Sequence, residues 1–270
     1  MTETYALEAS WCGDVRIVNT PERLSTTLDD LGVCAFLSVG LKSSSLCAQG
    51  SISLLSLKAS GVVHLIDIQS LGERAFSQTD KKKTSLRKIL QSSSIKKLFF
   101  DVRNASHALF GLYGIRLKNV IDVQLFDVAT KPASMRKYVW GLDKAVACGG
   151  VLPSMAVGDF CEARRIFAEE FITSRGGDGS RIEARPLSQS LIAHTAMDVY
   201  FLGQLYDACR AQLQSDWISR ISKETNRRLS SACAPQYQPW GLHKKFGPRG
   251  WTRIHDLESG TFQESSKEQR

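Results

Sequence analysis

The sequence predicts an α/β domain, with one mixed sheet and helices on its faces. First, the strand-like runs AFLSV, SISLLSL and VVHLID follow one another, with Gly50 and Gly61 between them, as in an antiparallel meander of hairpins. Second, KKLFFDV and NVIDV are short runs of buried-strand character. Third, helical patterns alternate with these later runs, and the order meander, helix, strand, helix, strand, helix implies a mixed sheet covered by helices.

A Pro-initiated amphipathic helix is predicted in VNTPERLSTTLDDL, where Leu24, Leu28 and Leu31 recur at helical spacing. After a basic loop, TSLRKILQSS reads as a helix, and NASHALFGLYG as a short helix stopped by Gly114. Another helix starts at about Gln124. The Gly- and Pro-rich stretch KPASMRKYVWGLDKAVACGGVLPSMAVGD reads as an irregular excursion, and EARRIFAEE as a solvated helix face. From Leu187 a long helical pattern places Leu191, Asp198, Leu202, Leu205 and Cys209 on one stripe. A carboxylate in an apolar stripe is costly unless it is paired, protonated or bound to a cation.

A chain of 270 residues can bury one sizeable core. No apolar run reaches the roughly 18 residues of a membrane span, and MTETYALEAS lacks the features of a signal peptide, so an intracellular protein with no membrane partner is expected. Seven scattered cysteines without a CxxC pair predict reduced, mostly buried thiols. The formal charge of +8 is concentrated: Lys81 to Arg103 and Trp217 to His255 each hold eight Lys/Arg against one acid. Such clustering favours an anionic partner such as nucleic acid, although solvated helix faces carry similar runs.

The runs GSISLLSL, VHLIDIQSLG, LFFDVRNASHALFGLYGIRLKNVIDVQLFDVA, RKYVWGLDKAV, ARPLSQSLIAHTAMDVYFLGQLY and YQPWGLHKKFGPRGW resemble the 3′-5′ exonuclease domain of the DEDD group, which includes RNase D and the Werner-type exonuclease. The likeness to fungal 3′-5′ exonuclease domain-containing proteins extends from about Val18 to Trp251. It implies a ribonuclease H-like fold, a mixed five-stranded sheet flanked by helices. It also implies a division into an N-terminal extension (1–16), an exonuclease-like domain (17–214), a basic C-terminal helix and segment packed on it (215–255) and a flexible tail (256–270).

Active members of the group hold two divalent cations with four carboxylates, because Mg²⁺ and Mn²⁺ prefer hard oxygen ligands and two-metal hydrolysis needs both ions. By resemblance, the Asp-x-Glu pair falls on Gly40 and Lys42, and the second Asp on Ala105, with His107 at its neighbouring acid. The third is kept as Asp198, and the Tyr four residues before it is His194. No Asp or Glu occurs between Leu31 and Ile66, so a register slip restores none. No metal or other cofactor is therefore expected, with Asp101 and Asp198 as residual candidates. Either the Lys42 ammonium, or His107 or His194, neutralises Asp198 in place of the metal, or Lys42 points to solvent from a strand end. His194 matches the Tyr spacing, not the five-residue spacing of a His general base used in another branch, and reads as a plain helix pair with Asp198. Asp67 and Asp122 read as strand-end caps.

Arg103, Asn104, Arg185, Lys244, Lys245 and Arg249 are candidates for phosphate contact, with Trp240 and Trp251 for base stacking; alternatively Arg185 and the tryptophans pin the C-terminal segment to the core. The expected protein is a nucleic-acid-binding pseudo-exonuclease, with RNA preferred to DNA by resemblance to inactive members of the fold. Its rivals are an active Mg²⁺- or Mn²⁺-dependent exonuclease with a relocated site, and a protein-interaction or dimerisation module.

Overall fold

The computed structural model describes residues 13–150 and 152–252. In chain order the elements are β1 (Asp14–Val18), α1 (Pro21–Leu31), β2 (Phe36–Lys42), β3 (Leu54–Ala59), β4 (Val62–Asp67), α2 (Ile68–Leu71), α3 (Arg74–Ser77), α4 (Leu86–Gln91), β5 (Lys96–Phe99), α5 (Val102–Tyr113), β6 (Val120–Asp122), α6 (Val123–Thr130), α7 (Leu142–Cys148), α8 (Ser154–Phe171), α9 (Gln189–Tyr200), α10 (Leu202–Ala211) and α11 (Ser215–Ala232). The strands form one mixed sheet in the order β1-β4-β3-β2-β5-β6. The hairpins β2–β3 and β3–β4 are antiparallel, and β1–β4, β2–β5 and β5–β6 are parallel.

Side chains alternate across the sheet. Val63 and Leu65 of β4 join the core under α6, α9 and α10, whereas Ile66 joins the opposite core under α1, α4 and α5. Leu24, Leu28 and Leu31 of α1 are fully buried, which supports each with roughly 2 kcal/mol of apolar burial. Thr20 caps α1 by accepting from the Arg23 N–H. Gly114 ends α5 at φ 65°, and its N–H bonds the Phe110 carbonyl while Ile115 N–H returns to Leu109. This left-handed exit is one that glycine makes at little cost.

The five-stranded expectation is corrected to six strands. DVRIV is a short parallel edge strand whose Val15 and Ile17 face one core and Val18 the other. The boundary drawn after residue 16 therefore falls inside β1. The earlier part of the extension, residues 253–255 and the expected tail at 256–270 lie outside the described residues. The stretch expected to be an irregular excursion contains α7 and the start of α8. Gly141 and Gly149 flank α7, while Ala145 and Val146 are buried. The long pattern from Leu187 divides at Phe201 into α9 and α10. Cys148 and Cys161 are exposed, which corrects the expectation of mostly buried thiols, and only Cys47 and Cys209 are buried among the described ones. No helix among the described residues is long and apolar enough to cross a membrane.

Candidate functional site

A cavity of about 330 Å³ opens at the carboxyl ends of the parallel strands β2 and β5. Lys42, the last residue of β2, Asp198 of α9 and Arg164 of α8 converge on it, with Gly40, Asp101 and Gln124 also in its wall. Lys42 Nζ lies 2.6 Å from Asp198 Oδ2, and Arg164 Nη1 donates to Oδ1 at 2.6 Å. Each oxygen of the carboxylate thus faces its own cation. Lys42 does not point to solvent: its side chain is 18% exposed and its ammonium sits 5.0 Å from the Phe167 ring centroid.

Burial pushes the Lys42 ammonium below its ordinary value, and the Asp198 charge partly offsets this. Burial alone would raise the Asp198 carboxyl, but the positive charges around it, Lys42 first, prevail and hold it well below the usual carboxylate range. Burial and Lys42 together push His194 far below its ordinary value, which leaves a neutral ring. That ring stacks on Phe167 at 3.7 Å, with Nδ1 3.8 Å from Asp198 Oδ2, beyond hydrogen-bond reach. The expected helix pair between His194 and Asp198 is therefore corrected: Lys42 and Arg164 occupy the carboxylate instead.

Arg164 was hidden in EARRIFAEE, read as a solvated face. Arg165, its neighbour, does fit that reading, since it pairs with Glu162 and Glu169 at the surface. The apolar spacing of Phe160, Phe167, Ala168 and Phe171 marks the buried side of α8, and Arg164, four residues after Phe160 and three before Phe167, lies within that stripe.

The other family positions are elsewhere or filled. Ala105 is buried in the opposite core. His107 Nδ1 contacts the Ala232 carbonyl oxygen at 2.9 Å and its ring packs on Tyr237, so it is not a counter-ion for Asp198. A Cβ on Gly40 would meet Ser56 Oγ at 2.7 Å and Val199 Cγ1 at 3.0 Å, so a carboxylate there requires its neighbours to shift. Asp101, although in the cavity wall, is clamped by Arg103 through bonds of 2.6 and 2.7 Å. Among the described residues, no three His, Cys, Asp or Glu side chains cluster as metal ligands. One carboxylate between two cations does not fit a pair of divalent ions, because the cations repel them and occupy the oxygens that would bind them.

Several residues expected to meet nucleic acid are engaged within the protein. Arg185 makes a two-pronged bond to Asp67, at 2.6 and 2.7 Å, and also reaches Ser53 Oγ. Asp67 also caps α2, and Asp122 caps α6 while accepting from buried Arg228 at 2.7 Å. Asn104 accepts from Tyr237 and Lys244, and Arg103 donates to the Lys244 carbonyl. Trp251 is buried against Trp217, which removes it as a stacking platform, whereas Trp240 is exposed. Lys245 and Arg249 are exposed as well.

A family model described as 3′-5′ exonuclease matches residues 15–214. The piRNA biogenesis protein EXD1 of Mus musculus is 37% identical over 92 residues, which is 34% of this chain and 15% of that protein. EXD1 of Bombyx mori is 29% identical over 101 residues, 37% of this chain and 30% of that protein. The chain therefore spans less than a third of the curated relatives it matches. Among solved structures, Trypanosoma brucei RNase D in complex with GMP superposes with a TM-score of 0.69 at 19% identity, covering 88% of this chain and 70% of that one. The same enzyme in complex with RNA U12 gives 0.67 at 19% identity, covering 88% and 77%. Escherichia coli RNase D gives 0.57 at 17% identity, covering 81% and 50%. These likenesses identify the fold as ribonuclease H-like, and with a model match across most of its length the chain belongs to the 3′-5′ exonuclease family.

Proposed function

We propose that this chain is a nucleic-acid-binding pseudo-exonuclease: it keeps the exonuclease fold, does not hydrolyse, and serves as an RNA-binding or scaffold module. The observation that carries this reading is the Asp198 carboxylate held between Lys42 and Arg164, at 2.6 Å from each. Two-metal hydrolysis uses one ion to generate hydroxide and both to stabilise the pentacovalent phosphorus. A cavity whose retained carboxylate is already neutralised lacks the negative charge that gathers those ions. Strand β2 offers Gly40 and Lys42 in place of the expected acids, Ala105 faces the core, and Asp101 is bound to Arg103.

RNA is favoured over DNA because the relatives are named for piRNA biogenesis and for RNase D, one of them captured with RNA U12. The formal charge of +8, concentrated in part on α11 and the segment after it, supports a polyanionic partner through phosphate neutralisation.

The test incubates the purified chain with a labelled, 3′-tailed single-stranded RNA and Mn²⁺. Binding that weakens with salt, without shortening of the strand, is expected. Time-dependent shortening, abolished by EDTA and by Asp198→Ala, would establish the hydrolytic alternative. Absence of both binding and cleavage, with a stable oligomer, would establish the protein-interaction module.

A further inference from the structure

Away from the Asp198 cavity, the segment after α11 folds back on the loop between α6 and α7. Tyr138 and Phe246 face each other in an antiparallel bridge, closed by Val139 N–H to the Lys245 carbonyl and Gly247 N–H to the Lys137 carbonyl, both at 3.0 Å. The approach is close: a Cβ on Gly247 would stand 2.0 Å from the Arg136 carbonyl oxygen. The two rings it presents lie 5.4 Å apart at 31° and remain 48% and 47% exposed. Beside Phe246 runs a cavity of about 960 Å³ walled by Lys137, Arg227, Arg228, His243 and Arg249. Its single acid, Glu224, holds Arg227 at 2.7 and 2.6 Å, and Arg228 is turned to Asp122, which leaves Lys137 and Arg249 as the cations facing the trough. The trough adjoins a second cavity of about 620 Å³ that shares Arg227, Arg228 and His243 and adds Arg103 and Lys244.

Rings left half exposed gain only part of the stabilisation of full burial, and Lys137 and Arg249 beside them favour an anionic partner. Paired flat rings next to a cationic trough match the two surfaces of an unpaired nucleic-acid strand: base faces for the rings, phosphates for the charges. We propose that Tyr138 and Phe246 form a base-stacking platform and that Lys137 and Arg249 hold the backbone of a single-stranded RNA passing along the trough. This rests on the nucleic-acid-binding reading and names the surface that does the binding. A duplex, whose bases are already stacked, engages only the charges.

The test is fluorescence anisotropy of the full chain with a labelled single-stranded 12-mer RNA at two salt concentrations, beside the same sequence as a duplex. Tyr138→Leu with Phe246→Leu, which keeps apolar bulk and removes the rings, should weaken single-strand binding about tenfold or more while leaving duplex binding and Tm near wild type. Lys137→Ala with Arg249→Ala should weaken both and lower the slope of log affinity against log salt by about one per lost phosphate contact. If wild type binds and both double variants bind equally well, this surface is refuted while the nucleic-acid reading stands. If wild type binds neither RNA, the nucleic-acid reading itself fails, and this inference with it.

Discussion

Two carboxylates at the same end of the sheet, Asp122 at the end of β6 and Asp198 beside β2, are both paired with cations, but in different ways. Asp122 is fully buried and accepts from the backbone N–H groups of Asp101, Val102 and Gln124 and from Arg228 at 2.7 Å. Backbone donors come with the fold and are independent of side-chain identity. Asp198 is held differently: its partners are two long side chains from different elements, and the group opens on a cavity. The first arrangement locks α11 to the core. The second is an electrostatic arrangement made by residues 42 and 164, which substitution can dismantle one cation at a time.

The largest expected effect breaks the lock. Arg228→Met leaves Asp122 buried without its cation and should cost about 3–5 kcal/mol, seen as a lower urea midpoint. Asp198→Asn should cost less, about 2–3 kcal/mol, because Lys42 and Arg164 lose their counter-charge but keep partial access to water. Its pH signature sharpens the contrast. The folded Asp198 carboxyl lies below its unfolded value, so its contribution is complete above about pH 5 and is lost on acidification as the unfolded carboxyl takes up a proton first, the loss ending when the folded one follows. Asp198→Asn should accordingly flatten the acid limb of a stability-versus-pH curve. The smallest effect is expected of Lys42→Met, about 1 kcal/mol, because Arg164 remains on the carboxylate and Met keeps the apolar stem against Phe167. A loss as large as that of Arg228→Met would mean that Arg164 does not share the charge.

Much of the fold was legible because period and punctuation are local. The three meander strands, the Pro21 start of α1 and the Gly114 stop of α5 all follow from neighbouring residues. β1 was missed because a five-residue edge strand gains its identity from pairing with β4, and α7 because its flanking glycines look like a loop. At the site, the missing acids on β2 and the odd Asp198 in an apolar stripe were readable directly. Arg164 was not, since its role depends on α8 crossing close to α9. The engagement of Arg103, Arg185 and Lys244 with internal partners was equally invisible, because a basic residue in a familiar motif has the same letter whether it faces phosphate or Asp67. The Tyr138–Phe246 ring pair was not legible because the two residues are far apart in sequence and meet only through a short bridge.

Lys42 and Arg164 stand where divalent ions would otherwise be drawn to Asp198. Electron paramagnetic resonance of free Mn²⁺ during titration with the purified chain measures this directly. The six-line signal of the aquo ion should persist at equimolar protein. Loss of signal saturating at two ions per chain, and restored by Asp198→Ala, would contradict it.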